Sequence, residues 1–117
     1  MAWTVDFHDA FDREFDALPQ SVQDAMVSVA LLLQETGPWL GRPHVDTLAG
    51  SRYANMKELR FDANDGAWRV AFAFDPKRRA ILLVAGDKAG VAQKRFYKSL
   101  IAKADKRFAD HLADMER

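Results

Sequence analysis

The chain has 117 residues, contains no cysteine and carries a formal net charge of zero at neutral pH. This length suits one domain with a core of its own, so a single domain over residues 1–117 is expected. The lack of cysteine excludes disulfide scaffolds, thiolate metal sites and cysteine nucleophiles, and it makes a reducing cytoplasm the expected location. The longest mostly apolar run, residues 25–33, is too short to span a bilayer, so no membrane partner is expected.

The charge is divided unevenly along the chain. Residues 1–50 hold two basic and eight acidic residues, whereas residues 52–103 hold twelve basic and five acidic ones. A polyanion responds at short range to the local field and not to the total charge. The neutral total therefore does not exclude a nucleic-acid partner.

The N-terminal third predicts a short strand followed by two helices. Trp3, Val5 and Phe7 alternate as in a half-buried strand. Apolar residues then recur at intervals of three and four on both sides of Pro19, which favours two helices joined tightly. Residues 37–52 contain three glycines and two prolines and show no period, which predicts a connecting loop.

The rest of the chain predicts a meander of three strands and one long helix. Asn-Asp-Gly at 64–66 is a strong hairpin signal before WRVAFAF, and the turn at 75–79 leads into the apolar AILLVAG. The first strand could add to the edge of this sheet. Residues 91–115 have one apolar stripe, typical of a packed helix. The expected fold is α+β, a small antiparallel sheet with two N-terminal helices and a long C-terminal helix packed against one face.

The face of the sheet without helices is the expected binding surface. The large residues of WRVAFAF take the covered side, so Arg69, Ala71 and Ala73 are expected to face outward as a shallow basin. Such a basin, bordered by cations, would suit a phosphodiester backbone. The other cations expected at its margins are Lys57, Arg60, Lys88, Lys94, Arg95 and Lys98.

Simpler interpretations exist for several of these residues. Outward cations on strands often only protect edges, and the basic turn at 77–79 is expected to be solvated. Tyr97 lies on an apolar stripe, so it is either a core tyrosine or a catalytic or stacking residue. His44 could act as an acid or base if its loop folds over the basin. The scattered histidines predict no metal site, and no phosphate-loop or dinucleotide motif predicts a cofactor.

Three stretches resemble a known family: LAGSRYANMKELRF, WRVAFAFDPKRRAILLVAGDK and KRFYKSLIAKAD. They are similar to the phage Gp49-like, HigB-type branch of the RelE/ParE toxins of bacterial type II toxin–antitoxin modules. This resemblance implies a small cytoplasmic toxin that is neutralised by an antitoxin, usually a helix-turn-helix DNA-binding protein. Many members of the family cut mRNA on the ribosome without a metal, which would inhibit translation and arrest growth.

The resemblance also implies roles for individual residues. Arg69 and Lys88 match phosphate-stabilising positions, and Arg60 would support them. Tyr97 resembles the family's helix tyrosine if the helix is shifted by about a turn; otherwise Lys94 takes that place. The ribosome-dependent prototype has lysines where this sequence has Met56 and Glu58. Glu58 could serve as the general base, or it could pair with Arg60 or Arg69.

Two other functions remain compatible with the sequence. One is a gyrase-targeting toxin on the same fold, which would act by binding and would need no catalytic residues. The other is a non-catalytic remnant that only binds an antitoxin-like partner.

Overall fold

The computed structural model describes residues 2–117, which form a five-stranded sheet with helices on both faces. The spatial order of the strands is β1-β5-β4-β3-β2. Four neighbouring strands pair antiparallel, and β1 adds to the edge of β5 in the parallel direction. No helix within residues 2–117 is long and apolar enough to cross a membrane. The elements in chain order are β1 (Thr4–Phe7), α1 (Asp9–Asp16), α2 (Gln20–Thr36), β2 (Val45–Thr47), β3 (Lys57–Ala63), β4 (Gly66–Phe74), β5 (Arg79–Asp87) and α3 (Gln93–Met115).

Helices α1 and α2 cover one face of the sheet, as the apolar spacing predicts. Pro19 has non-helical dihedral angles and occupies the position before the first residue of α2, so the boundary between the two helices falls at the proline. Buried residues from both helices meet those of the central strands in one core cluster. That cluster includes Phe11, Val22, Met26, Val29, Leu33, Leu59, Val70, Phe72 and Leu82.

The hairpin between β3 and β4 confirms the Asn-Asp-Gly signal. Ala63 pairs with Gly66, so Asn64 and Asp65 form a two-residue turn, with φ angles of 51° and 61°. Positive φ at both central residues defines the type I′ turn, whose twist matches that of the flanking strands. This turn sets the register that places Glu58 opposite Ala71.

Helix α3 packs on the face of the sheet that the sequence analysis expected to be free of helices. Ala71 and Ala73 are fully buried, so the expected shallow basin does not exist. The second core cluster, which joins α3 to this face, includes Met56, Ala71, Ala73, Leu83, Phe96, Leu100, Ala104 and Phe108. The small alanines form the floor on which the apolar stripe of a 23-residue helix lies. The two alanines therefore make room for a helix and not for a ligand.

The connection at 37–52 is more ordered than the predicted loop. It begins with one turn of 3-10 helix, Gly37–Trp39, and contains β2, which pairs antiparallel with β3. Val45 lies opposite Leu59 and Asp46 opposite Glu58. The three residues of β2 are too few to show an alternating apolar pattern among the glycines and prolines around them. They form a strand because the free edge of β3 is available for pairing. The loop prediction was wrong for these residues.

Arg107 and His111 supply two of the polar anchors that hold α3 in place. Arg107 donates to both carboxylate oxygens of Glu14 on α1, at 2.8 and 2.6 Å, and to the Leu83 carbonyl at 2.8 Å. His111 Nε2 lies 2.8 Å from the carboxylate of Asp75, which Arg79 also contacts at 2.9 Å. We call Asp75, Arg79 and His111 the Asp75 clasp. Both anchors involve the C-terminal half of α3, well after Tyr97.

Candidate functional site

A polar groove of about 350 Å³ lies where β3, the end of β5 and the start of α3 meet. We call it the Glu58 groove. Three separate segments supply its chemically active side chains. Glu58 and Arg60 come from β3, Lys88 from the residue after β5, and Tyr97 from the start of α3. The lining residues are Arg42, Asp46, Thr47, Leu48, Ala49, Glu58, Arg60, Lys88, Gln93 and Tyr97.

Glu58 and Tyr97 form the centre of the groove. The Tyr97 hydroxyl donates to Glu58 Oε1 at 2.8 Å, and the Glu58 residue is only 4% exposed. Burial raises the pKa of Glu58, and the Tyr97 hydrogen bond and the neighbouring arginines offset this only in part. Burial and the Glu58 carboxylate also raise the pKa of Tyr97, so its hydroxyl keeps its proton. A carboxylate with a raised pKa is suited to accepting a proton near neutral pH.

Arg69 lies behind this pair and does not face outward as expected. Arg69 is 6% exposed, and its Nε lies 3.8 Å from Glu58 Oε1. This Nε has no hydrogen-bond partner within residues 2–117. A second guanidinium nitrogen donates to the Trp68 carbonyl at 2.8 Å. Arg69 is also directly opposite Arg60 in the ladder, where two like charges repel each other. The buried cation therefore acts on Glu58 at close range and is largely shielded from solvent.

Arg60 and Lys88 are both more accessible than the buried Arg69. Arg60 Nη1 lies 3.6 Å from Asp46 Oδ2, a long and weak ion pair. Lys88 follows β5, and its backbone N–H donates to the Ala67 carbonyl at 2.9 Å, which fixes its position beyond the sheet. Within residues 2–117, no carboxylate lies within 4 Å of the Lys88 ammonium group. Both cations can thus reach an anion in the groove.

Strand β2 supplies one wall of the groove, which was not predicted from the sequence. Arg42 contacts Asp46 at 2.6 Å, and hydrogen bonds from Arg42 and the Thr47 backbone lower the pKa of Asp46. An ionised Asp46 competes with any bound anion for Arg60. The four-residue spacing of Arg42 and Asp46 was the available signal, but it is common on solvated segments.

The structure separates the other predicted RNA-binding residues from the groove. Lys57 pairs with Phe72 and so alternates to the α1–α2 face of the sheet. Arg95 lines a different groove on the other side of α3, together with Val91, Ser99 and Lys103. Lys94 and Lys98 are exposed on α3 and line neither groove. His44 lies in another cavity, and its carbonyl accepts from the Arg60 backbone at 2.8 Å.

Comparison with known proteins places the chain in a family. The profile of the family described as phage derived protein Gp49-like matches residues 13–109. The chain belongs to the Gp49-like family. This confirms the family resemblance that the sequence stretches indicate.

Two proteins of Mycobacterium tuberculosis (strain ATCC 25618 / H37Rv) that bear toxin names are similar to this member of the Gp49-like family. HigB2 is 41% identical over 117 residues, and HigB3 is 45% identical over 102 residues. The alignments cover 99% and 87% of this chain. The chain spans only 57% of the length of HigB2, but the alignment covers 87% of HigB3.

Solved structures share the fold of this family member. A double arginine-to-alanine variant of E. coli toxin RelE in the free state matches 88% of this chain and 97% of its own, with a TM-score of 0.61 and 14% identity. The archaeal RelE–RelB complex from Pyrococcus horikoshii OT3 gives a TM-score of 0.55 at 16% identity over 78% of this chain. At these identities the likeness concerns the fold, and it confirms the predicted RelE-like α+β architecture.

Proposed function

We propose that this chain is the toxin of a type II toxin–antitoxin module and that it cleaves mRNA in the Glu58 groove to inhibit translation. The toxin names of two relatives at 41% and 45% identity support the first part. The hydrogen-bonded Glu58–Tyr97 pair beside Arg60 and Lys88 is the observation that carries the second part.

The groove offers each group that cleavage of an RNA strand by its own 2′-hydroxyl requires. The 2′-oxygen attacks the adjacent phosphorus while its proton moves to the Glu58 carboxylate. Arg60 and Lys88 stabilise the negative charge that accumulates on the phosphoryl oxygens, and the buried Arg69 adds to the positive field from behind Glu58.

The departing oxygen then needs a proton. The bond from phosphorus to the 5′-oxygen breaks, and Tyr97 is the hydroxyl available to protonate that oxygen. Because Tyr97 is hydrogen-bonded to Glu58 at 2.8 Å, the proton that Glu58 gained can restore the phenol. The step yields a 2′,3′-cyclic phosphate and a 5′-hydroxyl, with every atom and proton accounted for.

The proposed partners are mRNA on the ribosome and an antitoxin. The Pyrococcus horikoshii RelE structure was solved as a complex with RelB. By analogy, we propose that a cognate antitoxin, of the helix-turn-helix DNA-binding kind, binds this chain and blocks access to the groove.

Induced expression with mapping of transcript ends tests the proposal. Cuts at fixed codon positions in translated RNAs, absent with Glu58→Gln, are the expected result. Growth arrest with intact transcripts and inhibited supercoiling by purified gyrase would instead support the gyrase-targeting function. No arrest and no cuts would indicate a protein that only binds its partner.

A further inference from the structure

An aromatic and basic cluster lies at the end of the sheet opposite Lys88. Trp39 is 77% exposed, more than the exposed large aliphatic residues of the described chain, and its ring centroid lies 6.1 Å from that of Trp3. The Arg78 guanidinium lies 4.5 Å from the centre of the Trp3 ring, and Lys77 precedes it in the turn between β4 and β5. We call Trp3, Trp39, Lys77 and Arg78 the Trp39 platform.

The platform is anchored to the core of the protein. Trp3 packs edge-on against Phe74, with ring centroids 5.4 Å apart. A Cβ at Gly37 would collide with the Trp3 indole nitrogen, so the backbone approaches the ring closely. Arg78 has a φ of 65°, a conformation that few non-glycine residues adopt. The Trp3 indole thus holds Trp39 and Arg78 beside each other on one surface.

Neither cation of the platform has an acidic partner. Within residues 2–117, no carboxylate lies within 4 Å of the Lys77 or Arg78 side chain, whereas the next residue, Arg79, pairs with Asp75 at 2.9 Å. The two cations border a cavity of about 200 Å³ whose other walls are Ala2, Trp3 and Thr4. An exposed indole beside unpaired cations is the combination that binds single-stranded nucleic acid, by stacking a base and neutralising its phosphates.

We propose that the Trp39 platform binds an unpaired segment of RNA, with one base on Trp39 and the adjoining phosphates on Lys77 and Arg78. The choice of RNA rests on the function proposed above. The nine residues of β5 separate the platform from Lys88 by roughly 30 Å, so one extended strand of several nucleotides could contact both sites. The platform would then hold a distal part of the strand that is cut in the Glu58 groove.

A protein partner is the competing occupant, because tryptophan and arginine also dominate protein interfaces. Lysine, however, is depleted at the centres of protein interfaces, whereas it is a regular phosphate ligand. The pairing of Lys77 with Arg78 beside the single ring of Trp39 therefore favours RNA.

Binding of a labelled single-stranded 2′-O-methyl RNA oligonucleotide tests the platform, because the blocked 2′-oxygen prevents cleavage. Trp39→Ala should weaken binding at least about fivefold, and Trp39→Phe should retain most of the affinity. The double variant Lys77→Ala/Arg78→Ala should reduce the slope of log affinity against log salt by about 1.4. Leu31→Ala and Arg13→Ala, at exposed positions of α2 and α1, serve as matched controls and should bind within about twofold of the unmodified chain.

Unchanged affinity and salt slope in the platform variants would overturn the inference. Loss of antitoxin binding by Trp39→Ala with unchanged RNA affinity would overturn it too and assign the surface to a protein. The outcome is separable from that of the proposed function. If the unmodified chain cuts mRNA but Trp39→Ala binds RNA normally, only the platform fails. If the unmodified chain does not cut mRNA but Trp39→Ala loses RNA affinity, the platform stands and the nuclease proposal fails.

Discussion

Glu58 and Asp75 are both buried carboxylates, at 4% and 5% exposure, yet their pKa values move in opposite directions. Burial opposes the charged form of Asp75, but hydrogen bonds from His111, the Arg79 backbone and the Arg79 side chain outweigh it and lower the pKa. Within the described residues, Glu58 accepts one hydrogen bond, from Tyr97, so burial dominates and the pKa rises. A carboxylate surrounded by donors is a structural anchor, whereas one with few donors is ready to accept a proton.

The largest expected effect comes from removing the proton acceptor of the Glu58 groove. Glu58→Gln keeps the shape and can still accept the Tyr97 hydrogen bond, but it cannot take a proton. We expect the single-turnover rate of mRNA cleavage on ribosomes to fall by a factor of about 100 or more. Circular dichroism and thermal unfolding should show an intact fold.

Tyr97→Phe is the matched variant for the proton donor. It should also lower the cleavage rate, and the double variant with Glu58→Gln should lose less than the product of the two single effects, because the pair works as a unit. If either single variant cleaved mRNA at the rate of the unmodified chain, the Glu58–Tyr97 pair would not take part in the chemical step.

Removal of the anchor carboxylate should affect stability instead. Asp75→Asn leaves Arg79 and His111 without their anionic partner at a buried position, and we expect a loss of about 2 to 3 kcal/mol in the free energy of unfolding. Urea denaturation measures this loss. The cleavage rate per folded molecule should stay unchanged, because the clasp and the groove contact different parts of α3.

The two carboxylates should also give opposite dependences of stability on pH. Asp75 has a folded-state pKa below its ordinary 3.8, so its contribution is present above pH 3.8 and is lost as pH falls through the folded-state value. Glu58 has a folded-state pKa above its ordinary 4.5, so the folded chain holds that proton more tightly and stability declines as pH rises from 4.5 through the folded-state value. Urea midpoints across this range should lose the first dependence in Asp75→Asn and the second in Glu58→Gln.

The smallest expected effect distinguishes two lysines that were both expected at the margin of the basin. Lys88→Ala should weaken RNA binding and reduce its salt slope by about 0.7, the value for one phosphate contact on a single strand. Lys57→Ala should leave both nearly unchanged, because Lys57 alternates to the α1–α2 face. Equal losses in the two variants would show that charge alone, and not the groove, sets the affinity.

The fold was predictable wherever periodicity or turn chemistry was strong. The helices around Pro19, the Asn64–Asp65 turn and the C-terminal helix follow from patterns within a few residues. The side of the sheet on which α3 packs does not, because Ala71 and Ala73 fit equally a floor for a ligand and a floor for a helix. The face on which α3 packs depends on the side of the sheet to which the connection from β5 leads, and no local sequence pattern encodes that side.

The site was predictable as a set of residue types but not as an arrangement. Glu58, Lys88 and Tyr97 come together in one groove, as the sequence analysis anticipated for part of its cluster. The burial of Arg69 and the approach of Asp46 could not be anticipated, because both depend on β2 and α3 closing around the site. Lys57 was expected at the margin of the basin, but it pairs with Phe72 and therefore lies on the opposite face of the sheet.

The pH dependence of single-turnover mRNA cleavage tests the central claim most directly. If Glu58 is the general base, the rate for the unmodified chain should fall as the solution is acidified through a pKa above 4.5, and Glu58→Gln should lack this acidic limb at a much lower rate. An acidic limb of the same midpoint in Glu58→Gln, at an undiminished rate, would contradict the assignment of Glu58 as the base.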